Sequence, residues 1–457
     1  MTDILTLRVV LDGSNPEIWR TLELYSDLPL IEVGHAIQIA VGWENVHRQC
    51  FHNHAPDEPA FKGDEICWLD ADLMNVPHHR DLALSTLESA LAASGGVLYF
   101  EYDFGDRWIH RVSLMHRRPA DGQAPRMSLL EGELRAPIED SGGLSTWYEY
   151  LRIISAKDEA RNYQEVLDWM WWRVGPLGTV DPTSFEIDVA RRMLALHAAG
   201  YRGKSVLGTW LQRVPTGTER FFGRMIAQTE LTLEPKFAKP SWLEEVLEPF
   251  AELIRLCAGT GVKLTHAGWL PPRVIEELLD RCRWNGIDYE SGTTKRENNL
   301  DTVRWLRDIA EELRLVRKYR GHLIATDFGL GLLAEPGRLH RYLLDCLISG
   351  MNSKIHRDCQ IIQWIVDEMG FEGFEERADT SNAMLGALHY ADARTGEPLT
   401  RDSYAPTSAL WHLIDRITNF HFSLPTEPNL PARRAALSQL RCYLLSGFEH
   451  SLVLEGN

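Results

Sequence analysis

The sequence predicts an α+β protein, with an N-terminal domain of mixed strands and helices followed by a mostly helical C-terminal half that contains a winged-helix-like unit. Three observations lead to this fold class: alternating polarity near the N-terminus, a hairpin pattern around Gly105, and helical periodicity that dominates after Trp242. The 457 residues suggest roughly three folded units. We place the boundaries at 1–198 for the mixed domain, 199–240 for a connector, 241–335 for the winged-helix-like unit and 336–457 for a helical domain.

The first elements are two strands and a helix. Residues 5–13, LTLRVVLDG, alternate in polarity as a half-buried strand does, and residues 16–25, PEIWRTLELY, indicate a second strand entered through a proline turn. In residues 29–43, PLIEVGHAIQIAVGW, the apolar residues recur at helical spacing. An irregular loop at residues 52–57, rich in histidine, aspartate and proline, follows them.

The stretch FEYDFGDRWIHRV, residues 100–112, predicts a β-hairpin. The aromatic residues at positions 100, 102 and 104 share one face of a strand, and Gly105 with Asp106 forms the turn. In the returning strand, the same alternation places His110 on the core side. The motif is therefore first of all a structural element.

Helices occupy the rest of the mixed domain, beginning near Ser145 and ending near residue 198. One of them contains DWMWW, in which Trp169, Trp171 and Trp172 point in different directions around the helix. We expect these rings to pack in a core, with a stacking platform for nucleic-acid bases as the alternative.

Residues 241–335 show the element order of a winged helix-turn-helix: helix, short strand, two helices and a hairpin. The second helix, PPRVIEELLDRC, has proline in its first turn, and the hairpin turns at residues 319–321. Acidic residues interleave with the arginines of the third helix, so a salt-bridged helix in a protein-binding module is the alternative to DNA contact. The candidate DNA-binding residues are Arg304, Arg307, Arg314, Arg317, Lys318 and Arg320.

Charge and composition narrow the function classes. The net charge of −17 means that the chain as a whole repels phosphate, so any nucleic-acid contact has to come from a local basic surface. The N-terminus lacks a secretory pattern and no long uncharged apolar run occurs, from which we expect a cytoplasmic protein without a membrane span. The seven cysteines form no close pairs in the sequence and predict reduced, structural thiols. The DFG and HRD segments occur in the wrong order for a kinase, and no P-loop, G-x-S-x-G or H-E-x-x-H motif is present.

Five segments occur in an order that is specific to one protein family: PEIWRTLEL, AIQIAVGWENVHRQCF, FEYDFGDRWIHRV, PIEDSGG and DPTSFEIDVARRML. Over roughly residues 4–195 the chain resembles the plasmid Ri open-reading-frame-three (pRiA4b type) family, whose members are often labelled transposon passenger or TnpR-like proteins. The resemblance implies an α+β domain and an association with plasmids and mobile elements, and it implies no particular activity. Cysteines common in the family near PIEDSGG are replaced here by Leu129, Ala136 and Ser141, which argues against a thiolate metal site in that loop.

Acidic residues and histidines around the hairpin form the candidate site. Carboxylate and imidazole groups bind hard or borderline divalent metals. The candidate catalytic residues are Asp103, Asp106, His110, Glu139 and Asp140, and the candidate metal ligands are His47, Asp106, His110 and Glu139. The simpler interpretation, which we favour, is that these carboxylates accept backbone hydrogen bonds in turns and that the histidine belongs to the core.

A second metal pattern lies in HRQCFHNHAPDEP. Its ligands would be His47, His52, His54 and Asp57. These ligands include neither thiolates nor a histidine pair four residues apart, so a solvated polar loop is the favoured interpretation.

Three functions remain open. We favour a non-catalytic binding or adaptor protein associated with mobile-element or DNA biology, which contacts DNA through the winged-helix-like unit or binds a protein partner. The first alternative is a metal-dependent hydrolase that uses Asp106, His110, Glu139 and Asp140, with His110 or His47 as base or ligand. The second is a protein-only scaffold. No cofactor is expected, except a divalent metal if the hydrolase alternative holds.

Overall fold

The computed structural model describes residues 2–55, 65–70, 79–156, 162–174, 184–234, 238–284, 296–349, 354–371, 373–391, 396, 409–422 and 430–447. The chain divides into two compact units. The first unit comprises Met1–Arg202 and Val214–Gln228, and the second comprises Gly203–Arg213 and Thr229–Asn457. The segment predicted as a connector is therefore shared between the two units.

An eight-stranded sheet organises the first unit. Its strands are β1 (Asp3–Leu11), β2 (Trp19–Tyr25), β3 (Gln49–His52), β4 (Cys67–Leu69), β5 (His79–Asp81), β6 (Val97–Tyr102), β7 (Trp108–Pro119) and β8 (Met127–Glu133). They lie in the order β5-β4-β3-β6-β7-β1-β2-β8, antiparallel except for the parallel pair β4 and β5. The two strands predicted at the N-terminus are confirmed as β1 and β2.

The helices follow the predicted distribution, with most of them in the second half of the chain. They are α1 (Leu30–Val41), α2 (Leu87–Ser94), α3 (Gly143–Ala156), α4 (Tyr163–Val174), α5 (Ile187–Ala198), α6 (Val206–Leu211), α7 (Glu219–Ala227), α8 (Leu243–Leu256), α9 (Pro272–Arg281), α10 (Asp301–Glu312), α11 (Asp327–Leu333), α12 (Arg338–Ser349), α13 (Lys354–Glu368), α14 (Phe374–Ala387), α15 (Ala409–Phe422) and α16 (Leu430–Cys442). The α+β fold class is confirmed. None of the helices in the described part of the chain is both long enough and apolar enough to cross a membrane.

Helix α1 covers the sheet beside the candidate site. Its buried face contains Leu30, Val33 and Ile37, the periodic apolar residues of the sequence, and it packs against β2, β3 and α5. The helix ends at Gly42, whose φ of 91° lies in the left-handed region that glycine adopts without strain. This ending directs the following loop toward the end of β6.

The predicted hairpin is confirmed as β6 and β7. Phe100 pairs with His110 and Tyr102 pairs with Trp108 across the two strands, and all four side chains are buried. Phe104 departs from the prediction, because it lies in the turn after the strand has ended and is 44% exposed.

The second unit begins, after α6, with α8 and then shows the predicted order of elements. Helix α8, strand β9 (Val262–Lys263), helices α9 and α10, and the strands β10 (Val316–Tyr319) and β11 (His322–Ala325) follow one another. The three strands form an antiparallel sheet in the order β10-β11-β9. Helix α10 packs against both α8 and α15.

The tryptophan-rich segment forms part of α4. Trp169 lies against Tyr150 with ring centroids 5.0 Å apart, next to a small core that contains Trp147 and Met170. This placement supports packing over a stacking platform for Trp169. The side chains of Trp171 and Trp172 lie outside the described part of the structure.

Candidate functional site

Tyr102, the last residue of β6, connects the two loops that flank the candidate site. Its ring is buried and stacks on Trp43, with centroids 5.0 Å apart. Its hydroxyl accepts hydrogen bonds from the backbone N–H groups of Val46 at 3.0 Å and His47 at 3.2 Å, and donates one to Glu139 Oε1. The phenol thereby joins the loop after α1 to the loop before α3.

Glu139 is a buried carboxylate with a structural role. Its second oxygen accepts the backbone N–H of Glu44 at 2.9 Å, so both oxygens are hydrogen-bonded. Burial raises the pKa of Glu139, and burial together with the neighbouring carboxylate also raises the pKa of Tyr102. Arg224 of α7 forms an ion pair with Glu44 and adds positive charge beside this network. Glu139 therefore holds the loops together, as the structural interpretation predicted.

His47, Asp103 and Asp140 are the predicted residues that converge. His47 Nε2 lies 2.8 Å from Asp140 Oδ1 and 3.5 Å from Asp103 Oδ2. One ligand atom from each of the three side chains lies within 4.8 Å of the others. An imidazole and two carboxylates are a suitable partial ligand set for a divalent metal.

Both aspartates of the cluster have a left-handed backbone conformation. Asp103 and Asp140 adopt φ values of 54° and 59°, in the left-handed region that aspartate tolerates better than most residues. Asp103 Oδ1 accepts the backbone N–H of Gly105 at 3.0 Å, which closes the hairpin turn and leaves Oδ2 on the side of His47.

Asp106 and His110 do not join this cluster. Asp106 Oδ2 accepts the backbone N–H of Gly142 at 2.9 Å and so ties the hairpin turn to the loop before α3. His110 is 1% exposed and lies among aromatic rings, 5.3 Å from Trp43 and 5.9 Å from Phe100 between centroids. Burial, with a contribution from the positive charge of Arg20, lowers the pKa of His110 to about 3. Of the metal ligands predicted around the hairpin, His47 alone lies in a cluster of described residues that could hold an ion, since Asp106, His110 and Glu139 belong to no such group.

A cavity of about 220 Å³ lies beside the Tyr102 network. Arg20 forms part of its wall, held by hydrogen bonds to the carbonyl oxygens of Ala40 at 2.8 Å and Glu133 at 2.9 Å, while Phe185 stacks on its guanidinium. Burial lowers the pKa of Arg20 to about 9. The remaining wall combines apolar side chains with polar and charged ones, among them the Glu44–Arg224 ion pair and Arg135, and would suit a small ligand that has both apolar and polar groups.

The two arginines of α10 have different environments. Arg304 is half-exposed and its guanidinium lies 2.6 Å from Asp301. Arg307 is 3% exposed and forms an ion pair with Glu297, 2.9 Å from Oε1. It donates hydrogen bonds to Glu297 Oε2 and to the carbonyl of Gly268, both at 3.1 Å. The assignment of Arg307 as a DNA contact therefore needs correction, because the buried ion pair withdraws its charge from the surface.

The basic residues of the hairpin lie at the surface. Arg314, Arg317, Lys318 and Arg320 are all exposed. The guanidinium groups of Arg317 and Arg320 lie 5.2 and 5.1 Å from the ring centroid of Tyr319, which is itself 46% exposed. Lys318 lies 3.5 Å from Glu311, so its charge is partly compensated.

The fold places the predicted ligands of the second metal pattern in different clusters. His52 lies on β3 and its ring is 5.6 Å from that of His54, whereas His47 belongs to the cluster with Asp103 and Asp140. Asp57 lies outside the described residues.

Tyr102, Trp43 and Arg224 were not singled out by the sequence analysis, although each shapes the site. The alternation of β6 placed Tyr102 in the core, and nothing in that pattern indicates that its hydroxyl would bind a loop residue. Arg224 lies in the segment predicted as a connector, and only the fold shows that α7 belongs to the first unit.

Comparisons with known proteins find similarity in the N-terminal part of the chain. Residues 3–189 match the family model of the plasmid pRiA4b ORF-3-like protein, which confirms the resemblance carried by the five motifs. The uncharacterised protein y4hQ of Sinorhizobium fredii is 27% identical over 175 residues, which are 37% of this chain and 81% of y4hQ. A protein of unknown function from Methanosarcina mazei Go1, MM3350, is 22% identical with a TM-score of 0.34, and the match covers 41% of this chain and 97% of that chain.

Proposed function

We propose that this chain, whose residues 3–189 carry a plasmid pRiA4b ORF-3-like domain, is a non-catalytic binding protein that contacts nucleic-acid phosphates through the β10–β11 hairpin of its second unit. The observation that carries the proposal is the exposed cluster of Arg314, Arg317, Lys318 and Arg320 on and beside one hairpin. Such a local basic surface is what an acidic chain needs to bind a phosphate backbone.

The arrangement of elements supports a winged-helix-like unit. Helix α8, strand β9, helices α9 and α10 and the β10–β11 hairpin occur in that order, and β9 pairs with β11 at the edge of the hairpin. Lys263 of β9 is exposed and lies opposite His322 in the register, which adds a further cation next to the wing.

Helix α10 is poorly suited to enter a major groove. Asp301, Asp308 and Glu312 are exposed on it, and the helix packs against α15, where Arg416 lies 5.6 Å from the ring of Trp305. A groove-reading helix requires a free face with hydrogen-bonding or basic side chains. We therefore assign the contact to the hairpin and to phosphates, which makes it independent of base sequence.

The test compares the affinity of the full chain for a fluorescently labelled DNA duplex, measured by anisotropy, between two variants. Arg317→Ala with Lys318→Ala and Arg320→Ala removes three exposed cations of the hairpin. Each cation accounts for one counterion release, so at about 0.15 M salt the affinity falls at least about tenfold.

The matched control removes three exposed arginines of the same unit that lie on neither strand of the hairpin: Arg273, Arg283 and Arg338. It should bind within about twofold of the unaltered protein. Equal losses in the two variants would mean that only net charge matters. If the unaltered chain does not bind DNA, the proposal of DNA contact is wrong and the protein-only scaffold becomes the favoured function.

A metal-dependent hydrolase is a second candidate, favoured by the convergence of His47, Asp103 and Asp140. These residues would hold the ion in place of the set with Asp106 and His110, since those two side chains are used elsewhere. Titration of Mn²⁺ into chelator-treated protein tests this function. Binding that disappears in the double variant Asp103→Asn with Asp140→Asn and persists in Asp106→Asn supports it, whereas binding that is unaltered in both variants contradicts it.

A further inference from the structure

Four side chains with metal-binding atoms meet on one face of the sheet, away from the candidate site. Cys50 and His52 lie two residues apart on β3 and so share a face. Cys67 of β4 is the register partner of His52, and Glu101 of β6 is the register partner of Cys50. Directly opposite residues of antiparallel strands also share a face, so the pairing itself places the four groups together.

The distances between these groups lie within about 0.6 Å of the edges of a tetrahedron of ligands around zinc. Cys50 Sγ lies 3.0 Å from His52 Nε2 and 4.0 Å from Glu101 Oε2, and His52 Nε2 lies 3.2 Å from Glu101 Oε2. One ligand atom each of Cys50, His52 and Cys67 lies within 4.8 Å of the other two, whereas Glu101 stands outside this group of three and of its members contacts only Cys50 and His52. Zinc bonds of about 2.0–2.3 Å to nitrogen, oxygen and sulfur imply ligand separations of about 3.3–3.8 Å around a tetrahedral ion.

We propose that Cys50, His52 and Cys67 form a zinc site between β3 and β4, and that the Glu101 carboxylate of β6 turns toward the ion as its fourth ligand. Two thiolates select a soft or borderline ion such as Zn²⁺ over Mg²⁺ or Ca²⁺. Four protein ligands leave no open position for water or substrate, which is the composition of a structural site.

The surroundings of the four ligands support the assignment. Cys50 is 2% exposed, and the side chains of His52 and Glu101 are 17% and 12% exposed, so an ion there is shielded while remaining reachable. Arg107 Nε lies 3.6 Å from the other oxygen of Glu101 and orients the carboxylate.

The site differs from the sequence-predicted pattern of His47, His52, His54 and Asp57. The cysteines are 17 positions apart by number and share no zinc-finger spacing, so only the register of β3 with β4 reveals them. Replacing His54 distinguishes the proposed zinc site from the loop-histidine pattern, because its ring contacts that of His52 but is not one of the proposed ligands.

Two measurements on the full chain test the site without depending on a variant. Elemental analysis after dialysis against a weak chelator should give close to one zinc per chain. Titration of Co²⁺ into the metal-free protein should produce thiolate-to-cobalt charge-transfer absorption in the near ultraviolet and the visible bands of tetrahedral cobalt. Co²⁺ titration without charge-transfer absorption would overturn the proposal.

Four variants then identify the ligands. Cys67→Ser should lose the zinc and about half of the charge-transfer intensity in a cobalt titration, and His52→Ala should lose the zinc. The controls are Cys282→Ser, a partly buried cysteine of the second unit, and His54→Ala, and both should keep the metal. A loss of zinc in His54→Ala equal to that in His52→Ala would overturn this ligand set in favour of the loop histidines.

Counting the reactive thiols distinguishes zinc-bound Cys50 and Cys67 from the same two cysteines joined by a disulfide. If zinc is bound, two thiols become reactive when a strong chelator is added. If they become reactive only after a reductant is added, the cysteines form a disulfide and the zinc proposal is wrong.

Discussion

Arg307→Ala should destabilise the second unit strongly, although it removes only one of several arginines in the region. The guanidinium bonds Glu297, whose side chain is 0% exposed, at 2.9 Å, and Glu297 in turn accepts the backbone N–H of Leu270 at 2.6 Å. The 3-10 turn Glu297–Asn299 and the segment before α9 are thereby attached to α10. Removing the arginine leaves a buried carboxylate without its counter-charge.

The size of the effect follows from this burial. Breaking one partner of a buried ion pair costs about 3–5 kcal/mol. For a unit of this size, each kcal/mol lowers the melting temperature by about 2–4 °C, so we expect a decrease of about 6–20 °C in the corresponding transition by calorimetry. Arg317→Ala, on the exposed hairpin, should change the free energy of unfolding by less than about 0.5 kcal/mol.

A double variant checks the cause. Arg307→Met with Glu297→Gln removes both charges, keeps an amide oxygen for the N–H of Leu270, and should be less destabilised than Arg307→Met alone. A cost below about 1 kcal/mol for Arg307→Ala would refute the buried pair as a stabilising connection.

Three further predictions concern the first unit. His110→Leu should flatten the dependence of stability on pH, because the pKa of His110 is about 3 in the folded protein against about 6.5 in the unfolded chain. Its contribution to stability is complete above about pH 6.5 and is lost as the pH falls toward about 3. Urea unfolding at a series of pH values measures this, and parallel pH profiles of the two proteins would contradict it. Gly34→Ala should destabilise the protein by about 1–3 kcal/mol, because a Cβ there would lie 2.0 Å from Gln49 Oε1. In the control Gly331→Ala, in α11, the new Cβ meets no atom within 4 Å, and the change should stabilise the protein by about 0.4–1 kcal/mol. Similar free-energy changes for the two variants in thermal unfolding would contradict the contact at Gly34. Tyr102→Phe should cost about 1–3 kcal/mol in chemical unfolding, because two backbone N–H groups lose their acceptor, and no change would mean that water replaces the hydroxyl.

The hairpin and the order of elements in the second unit were predictable because their signals are local. Alternation over residues 100–112 determines which side chains of β6 and β7 face the core, and His110 follows this rule. The proline in the first turn of α9 marks its beginning in the same way.

Convergence at the sites was not predictable, because it depends on pairing between distant segments. Asp140 reaches His47 only through the loop that Glu139 and Tyr102 hold in place. Cys50 meets Cys67 through strand register, and Arg307 is buried because of the turn at Glu297. Neither residue type nor spacing carries this information.

The salt dependence of DNA affinity tests the proposed function most directly. If the four hairpin cations each neutralise one phosphate, a plot of log K against log salt has a slope of about −3.6, and raising salt from about 50 to 200 mM weakens binding on the order of 100-fold. In the triple variant of Arg317, Lys318 and Arg320 the slope should fall to about −0.9. Slopes that are equal in the two proteins would contradict the assignment of the hairpin as the nucleic-acid contact.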